Sequence, residues 1–303
     1  MTTTPSADHA HAPSTLRLGD LEVRRLGYGA MRLPGEEVWG EPEDPARAHA
    51  VLRRAVELGV NFIDTAWYYG PYVANRLIAE ALHPYPSDLV IATKLGGKRL
   101  PNKGWGPALR PEELRRGAED DLRTLKLERL EVVHLRHIPM AGVPFLESLD
   151  ALIGLQREGL IRHLGLSNVG PREVEQALGR TPIVSVQNMY NVSGGGGAFA
   201  KQTHSLVEDP ERVLELCTLL RIAFLPFFPL AVGGVARDKP VLAGIAKEHG
   251  ASPAQVAIAW LLARSPVMLP IPGTSRVPHL EENWAARRIA LTKEQVEAIA
   301  AEG

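Results

Sequence analysis

The chain has 303 residues, 45% hydrophobic and 23% charged, an ordinary globular composition with enough length for a large core. Its 34 basic and 35 acidic residues leave a net charge of -1, which excludes the basic footprint of a nucleic-acid binder. A single cysteine, Cys217, excludes an internal disulfide and fits a reducing compartment. The N-terminus lacks the basic-then-apolar pattern of a signal peptide. The most apolar run, residues 222–235, is broken by Pro226, Pro229 and a glycine pair, and is short of the roughly 20 residues a bilayer span needs. A soluble, cytoplasmic protein that does not bind membranes is the expectation.

In chain order, residues 1–15 are small, polar and proline-containing, and read as a disordered tail carrying His9 and His11. Residues 16–31 read as a hairpin followed by a first barrel strand, with Gly27 and Gly29 flanking Tyr28 at its end. Glycines there permit close backbone approach to a ligand, or simply shape a turn. Asp44 caps a helix that has Pro45 at its first position. Ala48, Val51, Leu52, Ala55 and Val56 follow the helical spacing, and Gly59 ends the helix. A buried strand, residues 62–66, follows at once and runs into a turn with Tyr69 and Gly70.

The same rhythm repeats. Helices are marked by Leu77, Ile78, Ala81 and Leu82, by Leu114, Ala118, Leu122 and Leu125, and by Phe145, Leu149, Leu152 and Ile153. Strands follow them at residues 89–95, 132–137 and 163–167. Pro171 opens a helix before strand 183–189, and Val213, Leu216, Cys217 and Leu220 line one before strand 223–227. Helices around Val241 and over 253–263 precede a last strand at 267–271, and short helices over 277–285 and 292–301 close the chain. Eight strands alternating with helices predict an α/β fold, a (β/α)8 TIM barrel with an N-terminal hairpin and extra C-terminal helices, over residues 16–303. No Gly-x-Gly-x-x-Gly opens a helix after a strand, which weighs against a Rossmann sheet. Two loops are long: 96–110, rich in Gly, Pro and Lys, and 193–210, with Gly194, Gly195, Gly196 and Gly197 in a row. The second is expected to be mobile, because ordering glycine costs entropy.

Consecutive strands end in chemistry: Asp64 and Tyr69, then Lys94, then His137. A phenol is a weak acid near neutrality, with a reference pKa of about 10. A neighbouring ammonium favours the phenolate, so Lys94 is expected to lower the Tyr69 pKa, with Asp64 pairing Lys94 and keeping it charged. His137 can hydrogen-bond a substrate oxygen. Together these residues make a tuned acid plus oxyanion stabilisation, suited to protonating a carbonyl oxygen while hydride reaches carbon. Taken singly, each has a plainer reading as cap, packing residue or rim side chain. His134 and His137 sit three apart on a strand, point to opposite faces and make a poor metal pair, so no metal site is assigned.

The chain resembles the aldo-keto reductases from about residue 16 to residue 300. The resemblance rests on Gly27-Tyr28-Gly29-Ala30-Met31-Arg32, Asp64 through Tyr69-Gly70, Ala92-Thr93-Lys94, His137-Ile138-Pro139 and Gly165-Leu166-Ser167-Asn168. It continues through Val186-Gln187-Asn188, Phe227-Phe228-Pro229-Leu230, Ile271-Pro272-Gly273-Thr274 and Glu282-Asn283. It implies a catalytic tetrad of Asp64, Tyr69, Lys94 and His137, with Tyr69 as general acid. It also implies NADPH (NADP+) lying extended in the barrel mouth, and the loss of two family cations at Gly273 and His279 leaves room for NADH use as well. Gly29 and Met31 would border the cofactor, Ser167, Asn168 and Gln187 would hold the nicotinamide carboxamide, and Phe227 would stack on the ring. Leu230 and Gly233 would follow the pyrophosphate, and Thr274, Ser275, Arg276, Glu282 and Asn283 would grip the 2′-phosphate and adenine. Hydroxyls, an Arg and a helix start near Val277 make a phosphate cradle on physical grounds as well.

The chain departs from the family pattern at Gly273 and His279, where many members carry Lys and Arg, and at Phe228, where a small polar residue is usual. Arg136, directly before His137, is also unusual. The implied activity is NADPH-dependent reduction of an aldehyde or ketone to the alcohol. A regulatory or sensor barrel that binds NADPH with little turnover is the alternative, which the intact tetrad disfavours. A Schiff-base enzyme using Lys94 is weaker still, because pairing with Asp64 keeps the amine protonated. The sequence names neither the small carbonyl substrate nor an oligomeric interface. Trp39, Trp67, Tyr72, Trp105 and Phe199 are candidate apolar pocket residues.

Overall fold

A computed structural model describes residues 14–193, 209–230 and 239–302. The first 13 residues, Gly194–Gly197, Phe199 and Gly233 therefore lie outside the described residues. The hairpin is formed by β1 (Thr15–Leu18) and β2 (Leu21–Arg24), so Thr15, placed in the tail by the sequence reading, already pairs in a strand. The barrel staves are β3 (Tyr28–Gly29), β4 (Phe62–Asp64), β5 (Val90–Leu95), β8 (Leu130–Arg136), β9 (Ile161–Ser167), β10 (Ile183–Met189) and β11 (Ala223–Phe227). Between β5 and β8 a small antiparallel hairpin, β6 (Gly97–Arg99) and β7 (Trp105–Pro107), occupies the loop that the sequence left without regular structure.

The helices between staves are α1 (Pro45–Glu57), α2 (Val73–Leu82), α3 (Pro111–Leu125), α4 (Phe145–Arg157), α5 (Pro171–Leu178) and α6 (Pro210–Leu220). They are followed by α7 (Pro240–Glu248), α8 (Pro253–Arg264), α9 (Val277–Ala285) and α10 (Lys293–Glu302). Local chemistry explains their starts. Asp44 accepts a hydrogen bond from the Arg47 amide at 3.0 Å and Pro45 opens α1. Ser252 and Gln255 cap α8 reciprocally, backbone to side chain in both directions. The stripe Ala48, Val51, Leu52, Ala55 of α1 is wholly or almost wholly buried, and each such Val or Leu contributes on the order of 1.5–3 kcal/mol. Among the described residues, no helix is long and apolar enough to cross a membrane.

The seven staves form one parallel sheet in the order β11-β10-β9-β8-β5-β4-β3. The gap between β11 and β3 is closed by residues 267–272. The Phe224 amide donates to Val267 O and the Leu269 amide to Phe224 O, both at 2.8 Å, while the Gly27 amide donates to Pro270 O at 2.9 Å. This is the predicted eighth stave in place, but it forms only one β-bridge, at Met268. Pro270 and Pro272 have no N–H to give to a ladder, which explains the irregularity. The result is the (β/α)8 barrel expected from the alternation.

Alternation along each stave sorts the side chains. Phe62, Val90, Ala92, Val132, Ala223, Leu225, Leu269 and Ile271 pack inside, and Leu18 and Val23 of the hairpin pack with them. A step further along the same inward faces stand Asp64, two residues beyond Phe62, and Lys94, two beyond Ala92. The barrel thus has an apolar interior and a polar C-terminal mouth.

Candidate active site

Four strand ends meet at that mouth. Lys94 Nζ donates to Asp64 Oδ2 at 2.6 Å and to the Thr65 carbonyl at 2.9 Å. Gln187 Nε2, from β10 across the barrel, donates to the other Asp64 oxygen at 2.7 Å. The pair is almost completely enclosed, with side-chain exposures of 4% for Lys94 and 5% for Asp64. A buried ion pair survives only when its remaining valences are satisfied, and both members here have a second partner.

Tyr69 is buried beside this pair, with Lys94 Nζ 5.0 Å from its ring centroid and the Tyr68 ring edge-on at 5.3 Å. Burial, and then the Asp64 carboxylate, hold the Tyr69 phenol well above its ordinary pKa, and Arg136 opposes them. This corrects the expectation that Lys94 lowers it. Lys94 is held by Asp64, and burial and the Asp64 carboxylate set the direction of the shift.

His137 leaves the end of β8 with its amide bonded to Ser167 O at 2.8 Å and its carbonyl accepting from Asn168 Nδ2 at 2.7 Å. Asn168 has φ 61, a left-handed conformation that Asn tolerates better than most residues. Burial lowers the His137 pKa, favouring neutral imidazole, and its ring packs edge-on to Phe145 at 5.2 Å. His134 lies deeper, with Nε2 2.9 Å from Ser185 Oγ, and burial followed by Lys94 lowers its pKa to about 3. Among the described residues no cluster of three His, Cys, Asp or Glu could hold a metal ion.

Of the residues assigned to the cofactor, Ser167 and Phe227 end β9 and β11, and Gln187 stands near the end of β10. Ser167 and Gln187 are fully buried, and Ser167 Oγ and Gln187 Oε1 have no hydrogen-bond partner among the described residues. Buried polar atoms are rarely left unpaired, so two such side chains, in register on adjacent strands, fit an amide-bearing ligand. Phe227 ends β11 half-buried, with Phe228 edge-on at 5.1 Å. Phe228 takes φ 52, a strained conformation for a bulky residue. Leu230 packs half-buried against the core. Gly29 and Gly273 face each other so closely that a Cβ on Gly29 would sit 2.6 Å from Ile271 O, and one on Gly273 2.6 Å from Gly29 O. That contact accounts for the missing side chain at 273, since a lysine there would need the backbone to move.

The Thr274 carbonyl accepts from Tyr28 OH at 2.6 Å, and Thr274 Oγ1 accepts from the Arg276 amide at 3.1 Å. Arg276 is exposed at the start of α9, where no side chain caps the first turn. Glu282 accepts from Ser252 Oγ, and Asn283 is buried one residue on. A cleft of about 350 Å³ borders Met31 and Ser275, and no tetrad residue lines it.

The aromatic residues proposed for a pocket divide. Trp39 and Trp105 flank the Arg99 guanidinium at 5.2 and 4.2 Å, and Arg99 donates to the carbonyls of Glu37, Val38 and Lys103. This ties the β6–β7 hairpin to the loop before α1, and Trp105 meets Tyr68 edge-on at 5.9 Å. Trp67 and Tyr72 instead pack together at 5.7 Å.

Sequence reasoning missed the support behind Lys94. Thr93 Oγ1 and Asn75 Nδ2 donate to Asp121 at 2.7 and 2.6 Å, and Asn75 Oδ1 accepts from Thr65 Oγ1 at 2.8 Å. Asp121 is fully buried on α3, in register with Leu114, Ala118 and Leu125. A charge inside an apolar helical stripe was the available signal. Burial raises its pKa to about 7. The folded protein therefore holds this proton where the unfolded chain, at about 4, has lost it. Stability from this group is highest below pH 4 and falls until pH 7. Asp121→Asn is expected to gain stability relative to wild type as pH rises from about 4 to 7, by up to about 1.4 kcal/mol per pH unit. Denaturant unfolding across that range checks it, and a constant difference would refute it.

The chain matches the Aldo/keto reductase family over residues 25–302. It is 45% identical to a pyridoxine 4-dehydrogenase of Escherichia coli (strain K12) over 93% of this chain and 95% of that protein. It is 40% identical to an uncharacterized oxidoreductase of Schizosaccharomyces pombe over 100% of this chain and 94% of that protein. Among solved structures, a thermostable aldo-keto reductase in complex with the inhibitor epalrestat superposes with TM-score 0.80 at 31% identity, covering 95% of this chain and 99% of that one. An aldo-keto reductase from Klebsiella pneumoniae in complex with NADPH gives 0.75 at 25% identity, covering 95% and 94%. Barrel, strand-end constellation and full-length similarity agree: the chain belongs to the aldo/keto reductase family.

Proposed function

We propose that the protein reduces an aldehyde or ketone to the alcohol by hydride transfer from NADPH, with Tyr69 as general acid. The observation that carries this reading is the enclosed Asp64–Lys94 pair beside the buried Tyr69 phenol, with His137 on the neighbouring strand end. Bound NADPH supplies the hydride. Tyr69 keeps its proton until negative charge develops on the substrate oxygen, because burial disfavours the phenolate at rest. Lys94, fixed by Asp64 and Thr65 O, stabilises the phenolate once the proton has moved. Neutral His137 orients the carbonyl by a hydrogen bond without adding a charge.

Ser167 Oγ, Gln187 Oε1 and Asn168 are assigned to the carboxamide, and Phe227 to the ring face. Gly29 and Met31 are assigned to the cofactor's border, and Leu230 to the pyrophosphate. Thr274, Ser275 and Arg276, at an uncapped helix start, are assigned to the 2′-phosphate, with Glu282 and Asn283 near the adenine. The NADPH complex of the Klebsiella pneumoniae relative supports the choice of nucleotide. The name of the Escherichia coli relative makes pyridoxine, and the aldehyde formed by its dehydrogenation, the first pair to assay.

The test is NADPH and NADH titration by tryptophan fluorescence, then an aldehyde panel followed at the reduced nicotinamide absorbance. Turnover with NADPH is the expected result, and tight binding without turnover of any carbonyl favours the sensor reading. Arg276→Ala is expected to weaken NADPH roughly 10-fold or more and NADH far less, since a charge-assisted phosphate contact contributes about 1.5–3 kcal/mol. Equal loss for both nucleotides removes Arg276 from the phosphate site.

A further inference from the structure

Arg136 has no part in the tetrad, yet the fold aims it at the reacting centre. Residues 132, 134 and 136 share one face of β8. Val132 packs in the barrel interior, and His134 comes next, bonded to Ser185. Arg136 is third on that inward face, half-buried at the mouth, with its backbone in register with Ser167. Its guanidinium carbon lies 5.7 Å from the Phe227 ring centroid. Phe227 is on β11, and β9 and β10 stand between that stave and β8. The side chain therefore spans the opening along the edge where Ser167 and Gln187 stand. Its positive charge acts on both Tyr68 and Tyr69, so it lies within electrostatic reach of the phenol that would protonate the substrate.

A guanidinium is charged at every working pH and presents a planar fork that matches oxyanions. In a site sheltered from water such a contact is stronger than at the surface.

We propose that Arg136 is a specificity-determining residue that selects carbonyl substrates bearing an anionic oxygen, such as a carboxylate or phenolate, close to the reacting carbonyl. This rests on the carbonyl-reductase reading above and adds the substrate class to it.

The experiment compares ortho-, meta- and para-carboxybenzaldehyde with their neutral methyl esters, using NADPH and wild type, Arg136→Gln and Arg136→Lys. The quantity read is the ratio of kcat/KM for each acid over its ester, in which any general effect on Tyr69 cancels. In wild type at least one acid is expected to exceed its ester, and added salt to reduce that preference. Arg136→Gln is expected to lower the ratio roughly 10- to 100-fold, mainly through KM, with partial recovery in Arg136→Lys. A wild type that favours every ester, or a ratio unchanged in Arg136→Gln, overturns the proposal. The wild-type ratios decide against it even if the Gln variant does not fold. If wild type turns over neither acids nor esters, nor any member of the aldehyde panel above, while still binding NADPH, the reductase reading fails and takes this inference with it. That outcome differs from a lost preference, because all turnover is then missing.

Discussion

Tyr69→Phe is expected to lower kcat for carbonyl reduction by roughly 10²- to 10⁴-fold while NADPH still binds. The substitution removes only the hydroxyl. The ring keeps its edge-on contact with Tyr68 and its place beside Lys94, so the fold should not register the change. Burial and Asp64 raise the phenol's pKa above its ordinary value. The proton-donating form therefore persists to higher pH than for a free tyrosine, and no loss of rate from Tyr69 ionisation is expected below about pH 10. Single-turnover rates at saturating NADPH, with fluorescence titration of the nucleotide, separate chemistry from binding. A variant retaining its rate within a few-fold would show that another group delivers the proton.

Lys94→Met should damage both stability and activity. The ammonium is one of two groups holding the Asp64 carboxylate, and the other, Gln187, is neutral. Removing one partner of an enclosed pair typically costs about 3–5 kcal/mol, because the remaining charge stays out of water without compensation. The double variant Asp64→Asn, Lys94→Met is expected to be more stable than Lys94→Met alone, since no stranded charge remains. Denaturant unfolding of the wild type, both single variants and the double variant gives the cycle. A double variant less stable than either single would mean that the residues serve packing rather than each other's charge. Activity should be lost in Lys94→Met and in the double variant, as the phenolate formed at Tyr69 would lack its counter-charge.

The barrel was readable in the chain because its elements are local. Asp44-Pro45 starts a helix, the 48, 51, 52, 55 stripe buries it, and apolar runs such as 183–189 and 223–227 become strands at those bounds. The meeting of Asp64, Lys94 and Tyr69 was readable because each stands at or just beyond a strand end, and barrel closure brings strand ends together. The last stave was located correctly but not its form, since prolines at 270 and 272 leave carbonyls to accept and no amides to donate.

Asp121 was passed over because a helical pattern identifies a face by its apolar members, and an acid on that face looks like an interruption. Only the neighbours contributed by β5 and α2 turn it into a satisfied buried group. The β6–β7 hairpin was missed because its strands are three residues each, too short for periodicity to register.

Composition, alternation and caps thus determined the fold class, the order of its elements and the residues carried to the mouth of the barrel. These depend on spacing along the chain and on the preferences of single residues. Tertiary structure alone decided the proton affinity of Tyr69, the second partner of Asp64, the lack of room for a side chain at 273 and the reach of Arg136 to Phe227. Each of those depends on desolvation or on distances between atoms far apart in sequence, which spacing along the chain does not encode.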